Sequence, residues 1–336
     1  MKTILYITFS KRSPREFHRD ASVIYRCFQP CEYWRSIGYR SYVVHHEEAL
    51  STPVDADVVV FHRPRAVGDF APLRKRYEKC LCIADYDDCL FDESILESHP
   101  ALLSGTTSLQ VLKKQTLEYG SAVTVFDTFC VSTDGIRASL DRMLPGCQVA
   151  IMRNGISPFW RNLGGLTPLQ KDKKIISYFS GTANHTADLV EHLDAIEKAV
   201  DDRDELEMHV YGQLKLNRPL SHRWKRLEPV AFHHLPQLIQ QSWICIAPIM
   251  DNPFNRCKSA IKFLESATFG RPLITQPLPE FTRLANPGLK LVTNDWESAI
   301  SDLMMPSSWD GASAAATQIA KENLVQHQMG ELLPWI

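Results

Sequence analysis

Ile175-Ile176-Ser177-Tyr178-Phe179-Ser180-Gly181-Thr182-Ala183-Asn184-His185 is a short apolar run that passes through small residues into an amphipathic segment. A buried strand, a tight turn and a helix start form the opening unit of a parallel α/β domain. This unit lies in mid-chain, so the sequence predicts a second such domain beginning here. Downstream it predicts a helix over about His185–Val200, strands at Leu206–Tyr211 and Ile244–Pro248, a helix at Ser259–Phe269 and a strand at Pro272–Thr275.

Upstream, apolar runs alternate with amphipathic ones in the same way: Ile4–Phe9, Ser22–Ile37, Tyr42–His45, Val58–His62 and Cys80–Ala84. A helix near Thr107–Tyr119, a strand at Phe129–Ser132, a helix at Asp134–Leu144 and a strand at Val149–Arg153 complete the half. That alternation calls for a parallel sheet with crossover helices. Between Asn154 and Lys173 the pattern lapses into Gly155, Pro158, Gly164, Gly165 and Pro168, the punctuation of a linker. The expected organisation is therefore α/β, with Rossmann-like domains over 1–160 and 161–315 and a helical tail over 316–336. The tail ends in Pro334-Trp335-Ile336 and should pack back on the protein, because an apolar terminus is unfavourable in water.

Composition narrows the class. The 336 residues suffice for two cores, and 44% apolar with 23% charged content is ordinary for a globular chain. No apolar run approaches the roughly 20 residues of a membrane span, and the N-terminal run is too short for a signal peptide. Nine cysteines, several inside apolar strands, fit a reducing, cytoplasmic setting, and their spacing does not suit zinc. A net charge of −2 gives no reason to expect nucleic acid as a partner.

The strongest chemical signal is Asp251-Asn252-Pro253-Phe254-Asn255-Arg256-Cys257-Lys258-Ser259, followed by Ala260 to Glu265. Cations at the expected start of a helix are unfavourable unless an anion is bound there, which makes Arg256 and Lys258 candidates for stabilising a phosphate. Lys258, Lys262 and Glu265 share one helical face, suited to a phosphate and sugar hydroxyls or to solvent. Gly181 permits close backbone approach beside Thr182, Asn184 and His185, although the full dinucleotide glycine fingerprint is missing. Arg153 and Asn154 fall at the domain junction.

On the other side, Asp85-Tyr86-Asp87-Asp88 ends a strand, offering acceptor contacts through Asp85 and catalytic candidates in Asp87 and Asp88, or else a helix cap or a magnesium site. His62 and Arg63 end a neighbouring strand. The loop carrying Arg12, Arg15 and Arg19, with Arg26 in the next helix, suits an anionic acceptor or plain solvation.

Together, Ile83-Ala84-Asp85-Tyr86-Asp87-Asp88, Met152-Arg153-Asn154-Gly155-Ile156, Tyr178 to Thr182 with His185 and Asp188, and Phe254 to Ser259 ending in Leu264-Glu265 resemble family-four-type GT-B glycosyltransferases. Many of these build bacterial surface polysaccharides such as lipopolysaccharide or capsule. The resemblance implies two Rossmann-like domains facing across a cleft and a nucleotide-sugar donor, with UDP favoured. It also implies a glycan or lipid-linked acceptor, retention of anomeric configuration, and peripheral contact with the inner face of the membrane. No cofactor and no metal are implied. Glu265 matches the residue that binds the donor ribose, and Asn255, Cys257 and Ser259 fall within the donor segment. The family's paired glutamate would stand at Cys257, whose thiol cannot replace a carboxylate. A sugar-nucleotide epimerase or hydrolase, a non-catalytic sugar-nucleotide-binding subunit and a nicotinamide dehydrogenase are the competing readings.

Overall fold

The computed structural model describes residues 2–163 and 174–336. Gly164, Gly165 and Pro168 of the expected linker lie outside the described residues. The first sheet contains β1 (Thr3–Thr8), β2 (Arg40–His45), β3 (Val58–His62), β4 (Leu81–Tyr86), β5 (Thr128–Val131) and β6 (Gln148–Ile151). Its strands are parallel, in the order β2-β1-β3-β4-β5-β6.

The second sheet contains β7 (Lys174–Gly181), β8 (Leu206–Gly212), β9 (Trp224–Leu227), β10 (Ile244–Ala247), β11 (Leu273–Thr275) and β12 (Leu289–Leu291). Its order, β12-β11-β10-β7-β8-β9, is that of a Rossmann sheet, and it is parallel throughout. The order reverses between β7 and β10. Ligands of open α/β sheets bind at the carboxyl ends of strands beside such a reversal.

Strand alternation builds both cores. Leu5, Ile7, Val59 and Phe61 bury on one face of the first sheet, and Ile4, Tyr6, Val58 and Val60 on the other. Both faces are covered, so these strands read as continuous apolar runs.

Several expected elements differ in extent. β4 runs to Tyr86 instead of stopping at Ala84, which draws Asp85 into the sheet. The helix expected over His185–Val200 is two, Thr186–Val190 and Leu193–Asp201, although no glycine or proline marks the break. β9 and β12 were not anticipated. Both are short edge strands, and β9 carries Lys225 and Arg226, a pattern that hides an edge from sequence reading.

The tail folds back as expected, but its long helix begins earlier, at Pro306–Glu322, and belongs to the second domain's core through Ala316 and Ala320. Beyond it, Leu324 bridges Ile156, and Val325, Met329, Leu332 and Ile336 bury against Ile4, Tyr6 and Trp34 of the first domain. Each such side chain contributes roughly 1.5–3 kcal/mol of burial. Gly155 makes the crossing possible: a Cβ there would lie 2.7 Å from the backbone of Val325.

Candidate functional site

A cavity of about 550 Å³ opens between the domains at the carboxyl ends of β7 and β10. Its second-domain wall brings together Gly181, Thr182, His185, Lys258, Ser259, Lys262 and Glu265. Gly181 sits at φ 74°, a conformation that favours glycine, and turns the chain out of β7 toward the cavity. Phe179 and Tyr211 stack at 4.8 Å and line one end of it.

The cationic segment is arranged differently from the sequence expectation. Asn255–Cys257 is a single 3-10 turn, Lys258 is extended, and the helix starts only at Ile261. Lys258 is half-buried, and among the described residues no carboxylate lies within ion-pair distance of it. Burial lowers its pKa, with Asp188 and Asp88 pulling the other way. Lys262 donates to the carbonyl of Phe179. Burial likewise raises the pKa of Glu265, against Lys262 and a 2.6 Å hydrogen bond donated by Tyr25 of the first domain.

Asp188 holds this wall in place. Almost fully buried, it pairs with His185 Nδ1 at 3.0 Å and accepts from the Met250 amide at 3.0 Å and from Asn255 Nδ2 at 2.9 Å. Asn255 is buried, gives its Nδ2 to this support and to the Met250 carbonyl at 3.0 Å, and does not line the cavity.

The first-domain wall is a connected polar network. Ser22 donates to Asp87 at 2.6 Å, so its oxygen accepts from His62 Nε2 at 2.9 Å, and His62 Nδ1 meets Thr8 Oγ1 at 3.0 Å. Arg63, at φ 53°, bonds both Asp87 and Asp88. Despite burial, Arg63 and His62 hold Asp87 well below the usual carboxylate range. Burial raises Asp88, with Arg63 opposing and Asp87 reinforcing. Asp87 and Asp88 line the cavity together with Arg12, Arg19 and Asn154. Asn154 also donates to Ser259 at 3.1 Å, linking the two walls.

Other expected contacts lie elsewhere. Arg256 is exposed and forked onto Asp251 at 2.6 and 2.9 Å, turned out of the cleft. Cys257 is buried in the first domain's core with Cys89, and its carbonyl accepts from Thr133 at 2.8 Å. Arg153 spans Asp134 and Glu280 and clamps the domains instead of lining the cavity. Arg26 and Asp85 are fully buried as a bidentate pair, with Asn154 Oδ1 at 3.2 Å from Arg26, so they support the cleft from beneath. The extra residues of β4 put Asp85 there. Arg15 is exposed and does not line the cavity. Asn184 is held by Thr106 at 2.7 Å and lines a neighbouring cavity with His62 and Arg63.

Sequence reasoning did not single out Ser22, Tyr25, Phe179 or Tyr211 as site residues, nor Asp188 as the support of His185. The His185-x-x-Asp188 spacing was a usable signal for that pair. Nothing local marks Tyr25.

No family model matches the sequence, and no curated protein matches it closely enough to name a relative. Solved structures do resemble it. HepE of Anabaena in complex with UDP and glucose matches at TM-score 0.64 over 100% of both chains, with 11% identity. Sucrose-phosphate synthase from Thermosynechococcus elongatus matches at 0.61 over 100% of this chain and 99% of that one, also with 11% identity. The chain has the GT-B fold. A putative UDP-N-acetylglucosamine 2-epimerase from Listeria monocytogenes shares the architecture at TM-score 0.54 and 14% identity, over 99% and 95% of the chains. The GT-B cleft is therefore the cavity described above, between the facing carboxyl edges of the two sheets. Among the described residues no group of three His, Cys, Asp or Glu side chains is placed to hold a metal, and no helix is long and apolar enough to cross a membrane.

Proposed function

We propose that the protein is a family-four-type glycosyltransferase that moves a hexosyl unit from a nucleoside diphosphate, UDP in preference, onto a glycan or lipid-linked glycan. Such a step belongs to the assembly of a surface polysaccharide of the lipopolysaccharide or capsule kind. The enzyme would work in the cytoplasm, against the inner face of the membrane. The observation that carries this reading is the convergence of Gly181, Lys258, Lys262 and Glu265 on one interdomain cavity, with no carboxylate within ion-pair distance of Lys258 among the described residues.

In this reading the donor diphosphate lies against Lys258 and the Gly181–Thr182 turn, and the ribose hydroxyls meet Glu265. Charge developing on the leaving diphosphate is met by Lys258 and Lys262, preorganised in a partly desolvated wall, so departure needs no metal. Asp88 accepts a hydrogen bond from the acceptor hydroxyl, while Arg63 and the His62–Ser22–Asp87 network hold it in place. Transfer with retention follows from the family resemblance. Epimerisation or hydrolysis of the nucleotide sugar is the second reading, favoured by the shared fold of the epimerase.

A thermal-shift screen against UDP, GDP, dTDP and CMP tests the proposal, because a ligand of the native state alone raises the melting temperature. One nucleoside diphosphate should stabilise the wild type and lose that effect in Lys258→Ala. No response to any would refute the donor site. Product analysis with and without acceptor separates transfer from epimerisation or hydrolysis.

A further inference from the structure

Cys89 and Cys257 come from different domains and meet in one place. Cys89 follows β4 in the first domain, Cys257 ends the 3-10 turn Asn255–Cys257 of the second, and both are buried. The first-domain helix Asp134–Met143 brings them together, with Gly135 and Ser139 one turn apart on the same face. Cys257 sits on Gly135: a Cβ there would be 3.0 Å from its Cα and 3.2 Å from its Sγ, so the absence of a side chain is what seats it. Cys89 meets the Ser139 hydroxyl and donates a hydrogen bond to the sulfur of Cys257. Thr133, which caps the helix, donates to the Cys257 carbonyl at 2.8 Å, and the Pro253 carbonyl lies 3.6 Å from Cys257 Sγ. Two thiols from two domains are thus held against each other, and among the described residues no third His, Cys, Asp or Glu is placed to make them a metal site.

The two thiols are not equivalent. The bond from Cys89 holds Cys257 below the ordinary thiol range, against burial, whereas Cys89 is raised by that bond and then by burial. The start of a helix favours a thiolate in the same sense. Cys257 is therefore the nucleophile, with Cys89 placed to resolve what forms on it. Access comes from the Cys89 side. Cys89 lines a cavity of about 20 Å³, room for a water-sized molecule, with His99, Gln115 and Phe254, and these three also line the larger cavity that Lys258 borders at the cleft. A reagent as small as hydrogen peroxide has a route from the cleft to the sulfurs.

We propose that Cys89 and Cys257 are a redox-sensitive pair: a hydroperoxide oxidises them to an interdomain disulfide that ties the Lys258 segment to the first domain and stops turnover, and a dithiol reductant restores it. The Cys257 thiolate attacks the peroxide and takes one oxygen as a sulfenic acid; the other leaves as hydroxide and takes up the proton that Cys257 had given up. The Cys89 thiol then displaces the sulfenic oxygen as water. Two thiols are oxidised, one peroxide is reduced and two waters form. Lys258 directly follows Cys257, so the bond fixes that cation against the first-domain wall and holds the cleft in one arrangement, whereas product release needs the domains to part. The disulfide stands on its own; its effect on turnover rests on the glycosyltransferase reading.

The test treats the full chain, without nucleotide, with a small excess of hydrogen peroxide, then alkylates and digests it for mass spectrometry. A peptide linking Cys89 to Cys257 should appear. The melting temperature should rise by roughly 5 °C, because a disulfide closing a long loop constrains the unfolded chain. Dithiothreitol should reverse both changes, and neither should occur in Cys89→Ala or, as a second variant, Cys257→Ala. Oxidised wild type should turn over at least about tenfold more slowly and recover with dithiothreitol. Both thiols left free, a sulfinic acid at Cys257, or linkage of either to another cysteine would overturn the pair and leave the donor reading standing. Linkage with no rise in melting temperature, or with turnover unchanged, would overturn the switch. Linkage in a protein that gives no thermal shift with any nucleoside diphosphate would uphold the pair and refute the donor site.

Discussion

The two walls of the cleft handle charge in opposite ways. In the first domain the buried Arg26 is bonded to Asp85, and Arg63 to Asp87 and Asp88, while Arg12 and Arg19 stand exposed at its rim, so it is the buried charges that are matched. In the second, Lys258 has no carboxylate within ion-pair distance among the described residues, and Glu265 is answered by a neutral tyrosine from across the cleft. A wall whose charges are matched is a finished scaffold; one that keeps a half-buried cation unmatched is stable only to the extent that a ligand will complete it. In the proposed reading the difference gives anion binding to the second domain and orientation to the first.

The largest expected effect tests the finished wall. Asp85→Ala leaves the Arg26 guanidinium buried without its carboxylate and should cost about 3–5 kcal/mol, read by urea denaturation. Replacing both together, Arg26→Met with Asp85→Leu, should recover most of that loss. If the single change were neutral, the pair would not be the support described. On the unfinished wall, Lys258→Ala should lower kcat/KM by roughly a hundredfold or more, about 3 kcal/mol, with the melting temperature of the free protein nearly unchanged. Equal turnover would remove the contrast between the walls.

These two residues also mark what a sequence reader can and cannot see. The place of Lys258 on the cavity wall was legible because a cation beside a strand-to-helix turn is electrostatically costly, and that cost is written locally. The helix start itself was misplaced: Arg256, equally basic, turns outward to Asp251, and a 3-10 turn stands where the helix was expected. Asp85 was read as a cleft residue because an Asp at the end of an apolar run is most simply exposed. Its partner Arg26 lies 59 residues away, and only tertiary structure brings a buried guanidinium to that strand. The fold was readable for the opposite reason. Parallel strands buried on both faces, such as Val58–His62, appear as uninterrupted apolar runs with the same boundaries in sequence and structure. The edge strands β9 and β12 lack that signature.

Tyr25 is one of the points where the walls meet, with the Asn154–Ser259 bond another, and it offers a smaller test. Its hydroxyl fixes one oxygen of Glu265, so Tyr25→Phe should weaken UDP binding about fivefold by calorimetry, the loss of one orienting hydrogen bond. Tighter binding in the variant would mean that Tyr25 competes with the ribose for Glu265, making it a latch between domains.

The smallest effect concerns His185, which sits beside the unmatched cation. Its pKa is held down at about 4 by burial and then by Lys258, against the pull of Asp188, whereas in the unfolded chain it lies near 6.5. Above about pH 6.5 both states are neutral and the histidine costs nothing. As the pH falls from there toward 4, the unfolded chain takes up the proton first, so stability declines across that window. Asp188, held below its ordinary value by its bond from His185 despite burial, loses its contribution only at lower pH, so the two effects do not overlap. Between pH 6.5 and 5.5 the loss from His185 should stay below about 1 kcal/mol and be absent in His185→Asn, which keeps a donor for Asp188. Bound nucleoside diphosphate adds negative charge beside Lys258 and raises the histidine pKa, so saturating UDP should flatten the wild-type decline in melting temperature. A decline unchanged by UDP would place the diphosphate away from Lys258, and the unmatched cation would then need a different anion to explain it.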